Sequence, residues 1–224
     1  MVTDFLSRND APIGGDVWAL LDQTMVEAAK GQLSVRRLLE IEGPYGFGLK
    51  SVPLDDGDEV DGVVTSPCLP LALLSSSFVL GKRDLAAFEY SGVFPTLNRV
   101  AEAAREAARK EDDVLLNGAA GIQGLMDYPG IERTGLGDWS ATCAAAADLI
   151  EAITALDESG FHGQYMLGLS PRRYNQLFYS ETCWTSYQMI SQIVRSIVKL
   201  PALREGGILT VSYTHLTLPT NREV

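Results

Sequence analysis

Residues Leu149 to Phe178 read LIEAITALDESGFHGQYMLGLSPRRYNQLF, and the apolar pattern changes period twice along them. The first part belongs to an Ala-rich helix expected from about Ala141 to Ser159 and closed by Gly160. YMLGLS is then a short apolar run without helical spacing, as a buried strand has. Ser170-Pro171 opens a second helix, with an N-cap serine and proline at the first helical position, running to about Tyr179. A helix, a buried strand and a helix therefore follow one another here.

Downstream, Met189 to Val198 has helical spacing and GGILTV reads as a strand. Upstream, Thr96 to Leu116 is the clearest helix, with Leu97, Val100, Ala104, Ala107, Ala108 and Leu115 as a narrow apolar stripe and Asn117-Gly118 as its stop. Leu49 to Ser77 holds short apolar runs broken by DDGDEVDG, an acidic-tipped hairpin or extended loop. SSSFVL, Ser75 to Leu80, reads as a strand. Asp16 to Leu39 reads as an amphipathic helix that stops at EGPYG, because Pro44 disfavours helix before it and the glycines supply turns.

The sequence of 224 residues is 46% hydrophobic and can bury a substantial core. Its net charge of −11 argues against a dedicated nucleic-acid binder, which needs an excess of Lys and Arg. Cys68, Cys143 and Cys183 are odd in number and lack metal-ligand spacing, so neither a disulfide framework nor a zinc site is expected, and a reducing cytoplasm fits. No apolar leader and no membrane-spanning run is seen.

Residue types suited to catalysis occur, but not at the spacing that the chemistry needs. IEGPYGFG, Ile41 to Gly48, has the glycines of a phosphate loop but follows a helix instead of opening one, and no Lys-Ser/Thr follows. Asp157, His162 and Ser170 have the residue types of a nucleophilic triad, yet GLSPR lacks the second glycine of a nucleophile elbow and Ser170 is better read as a cap. Glu111-Asp112-Asp113 lacks a Glu-x-x-His partner and is expected to be a solvated or inter-subunit face. No enzyme, cofactor or metal is expected; the pattern suits a structural or binding protein.

Several stretches together resemble the encapsulins: DFLSRNDAPI, the helix with Trp18 leading to RRLLEIEGPYGFG, LPLALLSSSFVL, KEDDVLLNG with GIQGLM, and the Leu149 to Phe178 run. They occur in the encapsulin order. The resemblance implies an α+β protein with the HK97-like major-capsid fold of tailed phages. Its peripheral domain would take residues 1–49 and 78–137, with the spine helix in the latter, its extended loop residues 50–77, and its axial domain residues 138–211. It also implies a self-assembling icosahedral shell around a cargo enzyme, of the peroxidase or ferritin-like kind, with itself and a C-terminal cargo peptide as partners, and neither nucleic acid nor membrane.

Arg36 and Arg37 correspond to the family's paired basic residues at the cargo groove, with Val17, Leu21 and Met25 as its apolar floor. Glu181, Thr182 and Cys183 correspond in position to the fivefold pore loop. The segment VLGKRDLAAF has Lys82 and Arg83 where some encapsulins carry a tryptophan implicated in flavin binding, so no flavin is expected. The tail VSYTHLTLPTNREV is similar to a translated sequencing adapter. The natural protein is therefore expected to depart from this sequence near Val211, leaving a subunit that is truncated at its C-terminus and assembles poorly as written. Rival readings are a phage or prophage major capsid protein, which shares the fold, and a secreted bacteriocin or protease, for which no nucleophile speaks.

Overall fold

A computed structural model describes residues 6–57, 59–93, 96–141, 143–179 and 185–212. The protein forms two compact units, one of residues 1–33 and 72–111, the other of residues 34–71 and 112–224.

In the first unit, helix α1 (Gly15–Gln32) buries Val17 and Leu21, four residues apart and so on one face. They pack with Val100 of helix α3 (Asn98–Asn117), and Ile13, Trp18, Met25, Phe78, Leu80, Leu85, Phe88 and Leu97 close the core around them. Helix α2 (Lys82–Ser91) went unread in the sequence; it ends in the left-handed Gly92, whose N–H bonds back to Phe88 O at 2.7 Å. SSSFVL joins no sheet among the described residues. Ser76, Phe78 and Leu80 alternate with exposed neighbours as a strand's residues do, but their half-buried face lies on α3, where the Ser76 hydroxyl donates to Ala103 O at 2.6 Å.

The second unit is built on a three-stranded mixed sheet. Its centre is β3 (Gln164–Leu169), parallel to β4 (Ser196–Lys199) and antiparallel to β5 (Gly207–Ser212). Alternate residues of β3 serve opposite faces, so both faces are covered and the strand reads as an unbroken apolar run. Tyr165, Leu167 and Leu169 pack with Trp139, Leu177, Ile190 and the Ala145, Ala146 and Leu149 face of helix α4 (Ala144–Glu158). On the other side Met166 joins Val35, Leu38, Leu116, Val198, Leu200 and Leu203. Gly168 permits that approach, since a Cβ there would stand 2.5 Å from Leu38 and 2.6 Å from Leu200.

Helices α5 (Pro171–Gln176) and α6 (Ser186–Ile190) supply the crossover that a parallel pair requires. The expected helix Met189 to Val198 is corrected to the end of α6, a turn and β4. Ile190, Val194 and Val198 are indeed buried at spacings of four, but they sit in a helix, a turn and a strand. Residues 51–70 form a hairpin of β1 (Ser51–Pro53) and β2 (Cys68–Pro70), with Val60 bridged to Val63 near its acidic tip. The Glu42 carboxylate takes a bond from the Tyr45 hydroxyl inside IEGPYGFG, where Gly43 adopts φ 117°.

Candidate functional site

Helix α1 stops seven residues short of the expected Leu39, and the reason is Asp112. A continuing helix would have sent the Ser34 and Val35 N–H groups to carbonyls four residues back. Instead the Asp112 carboxylate accepts Ser34 N–H at 3.0 Å, the Ser34 hydroxyl at 2.6 Å and Val35 N–H at 3.1 Å. Asp112 is 1% exposed, so the expectation that Glu111-Asp112-Asp113 forms a solvated face fails at its middle residue. The stripe itself carried the signal: Val100, Ala104, Ala108, Asp112 and Leu116 recur every four residues.

After Ser34 the backbone makes a single 3₁₀ turn, Val35–Leu38, that buries Val35 and Leu38 and exposes Arg36 and Arg37 between them. Beyond it lies an open cavity of about 300 Å³, walled by Leu38, Leu39 and Glu40 on one side and by Met166, Thr210, Val211 and Ser212 on the other. The Thr210 hydroxyl donates to Leu38 O at 3.1 Å, and the Ser212 hydroxyl donates to Glu40. These two bonds tie the edge of β5 to the segment that follows the arginines. The cavity thus has leucine, methionine and valine side chains and the Glu40 carboxylate in its lining, and the exposed Arg36 and Arg37 immediately precede Leu38 in sequence.

The other sequence candidates fall elsewhere. Val17 and Leu21 are 6% and 1% exposed and spend their side chains on the first unit's core, with Met25 half-buried beside them. Glu181, Thr182 and Cys183 lie outside the described residues. Asp157 and His162 do meet, at 3.0 Å, and bonds from the Tyr165 hydroxyl and His162 hold the Asp157 carboxyl below its usual range. Ser170 lies at the far end of β3, fully buried, so no triad forms. Nor does the Ser170 hydroxyl cap α5; that serine is fixed through its backbone N–H to Gly206 O at 3.0 Å. Among the described residues no cluster of His, Cys, Asp and Glu could hold a metal ion, and no helix is long and apolar enough to cross a membrane. Cys68 and Cys143 are free thiols.

The fold is one already seen in the subunit of a virus-like particle. It matches the solved subunit of a virus-like particle from Pyrococcus furiosus with a TM-score of 0.68 over 87% of this protein and 78% of that one, at 21% identity. The protein belongs to the encapsulin family: the family described as encapsulating protein for peroxidase matches residues 3–220. A type 1 encapsulin shell protein of Myxococcus xanthus is 30% identical over 209 residues, covering 85% of this sequence and 73% of the relative. Another, from Rhodospirillum rubrum, is 29% identical over 232 residues, covering 91% and 76%. The protein is therefore a self-assembling shell subunit with a structural role, and the readings as a phage capsid protein, bacteriocin or protease are set aside.

Proposed function

We propose that copies of this subunit, with its natural sequence restored beyond Val211, close into an icosahedral nanocompartment in the cytoplasm and take up their cargo enzyme through a short C-terminal peptide docked on the cavity that follows Arg36 and Arg37. The observation that carries this is the turn Val35–Leu38: two adjacent exposed arginines directly precede Leu38 and Leu39, which line an open cavity together with Glu40 and Met166. Apolar side chains of a peptide would gain by burial at the base, while the charged groups select its register and partner. The family's description favours a peroxidase as cargo, with a ferritin-like protein as the other candidate.

The β1–β2 hairpin supplies the second part of the proposal, an arm laid over a neighbouring subunit. Leu54, Val60, Val63, Val64, Leu69 and Leu71 are each at least 42% exposed on it, which is costly in water and favourable once a second copy covers them. Asp55, Asp56, Glu59 and Asp61 would lie at the rim of that contact. By the family resemblance alone, Glu181, Thr182 and Cys183 are assigned to the fivefold pore.

Co-expression with a candidate cargo, a peroxidase that keeps its own C-terminal tail, tests the groove. Arg36→Glu combined with Arg37→Glu should leave closed particles in electron micrographs while cargo no longer co-purifies. Undiminished cargo in the double variant would sink the groove reading.

A further inference from the structure

We propose that Asp112 is a positioning residue for this groove, its buried carboxylate fixing the register of the turn that presents Arg36 and Arg37; this rests on the reading of the cavity as the cargo site. Asp112 occupies a position on the buried stripe of α3 where an apolar side chain would pack without the cost of burying a charge. What it does that no apolar residue could is to hold three donors at one point, the Ser34 and Val35 N–H groups and the Ser34 hydroxyl.

Those donors stand at the start of the four-residue turn, and register there matters. Val35 and Leu38 are 0% and 1% exposed, packed with Leu116, Val198, Leu200 and Leu203. A slip of one residue would bring Arg36 into the core and turn Leu38, a wall of the cavity, away from it. Leu38 also accepts the Thr210 hydroxyl, so the far end of the turn is tied to β5 and the near end to α3. With both ends fixed, the backbone that carries Arg36 and Arg37 is set before a peptide arrives, and binding does not have to order it.

The test uses assembled shells and a fluorescein-labelled peptide of about 15 residues, which spans about 50 Å when extended and so overlaps the cavity in any register, taken from the C-terminus of a candidate peroxidase cargo. Fluorescence anisotropy reads its affinity, and hydrogen exchange reads residues 33–40. Asp112→Ala should weaken binding about tenfold, the scale of hydrogen bonds to a charged group, and speed exchange at residues 34–37. Asp112→Asn keeps a carbonyl oxygen for the two N–H groups and should restore most of the affinity.

If Asp112→Ala speeds exchange but binding is unchanged, or if Asn is no better than Ala, the positioning proposal is overturned. If the peptide ignores both Arg36→Glu with Arg37→Glu and Asp112→Ala, the groove reading itself falls. Should Asp112→Ala not assemble, Ser34→Ala decides: because the two N–H groups still hold the turn, a partial loss of about two- to threefold supports the proposal, and unchanged affinity overturns it.

Discussion

At the scale of single residues, glycines carry constraints that their neighbours explain. Gly118 ends α3 with φ 74°, and the backbone doubles back so tightly that a Cβ on Gly124 would stand 2.3 Å from Gly118 N and 2.4 Å from Leu116 O. Those are backbone atoms and cannot swing aside. Gly124→Ala should therefore cost about 2–3 kcal/mol and lower the melting temperature by about 4–12 °C. Gly46→Ala, where the Cβ meets nothing within 4 Å, should leave it unchanged. Equal melting temperatures for the two variants would show that the turn after α3 yields easily. The turn was legible in Asn117-Gly118, but Asp112 was not read correctly: its partners stand 77 and 78 residues away in sequence, and a carboxylate next to two other acids looks solvated until they are found. Val17, Leu21 and the arginines came from the resemblance, which gives positions in a motif but not burial.

At the scale of elements, what the sequence showed was periodicity, and periodicity does not say what lies against a face. Helices α1, α3 and α4 were legible because each keeps one period over its length, and strands β3 and β5 because each is a short apolar run next to glycine or a helix start. SSSFVL kept a strand's alternation but lies on a helix, and the run from Met189 to Val198 kept a helix's spacing while crossing three kinds of structure. Pairing decided the second case, since Arg195 N–H goes to Tyr165 O and the following residues join β3. The hairpin is where element and function meet. It has two strands and exposed apolar side chains, more than an isolated hairpin can justify in water. Val63→Asp, at an exposed position, should leave the subunit's circular dichroism intact while closed particles disappear from size-exclusion profiles. Normal particles would show that the hairpin is not an assembly contact.

At the scale of the whole molecule, the family could be recognised because several short stretches occur in one order, each too weak alone. Self-assembly could not be read from the physics of one isolated subunit, because each compact unit already has a core of its own. Assembly brings together copies that each carry a net charge of −11, so like charges oppose closure while apolar contacts favour it. Salt separates these two terms. The screening length falls from about 30 Å at 0.01 M to about 10 Å at 0.1 M, which shortens the reach of the repulsion and leaves apolar burial in place. Subunits dissociated and then returned to neutral buffer should accordingly reach closed particles more completely at about 0.15 M salt than at about 0.01 M, as read by light scattering. The opposite trend, particles that close at low salt and come apart as it rises, would mean that ion pairs between subunits outweigh the net repulsion. The acidic tip Asp55 to Asp61 would then have to meet a basic surface on the neighbouring copy, and neutralising Asp55 and Asp56 to Asn should remove the salt sensitivity.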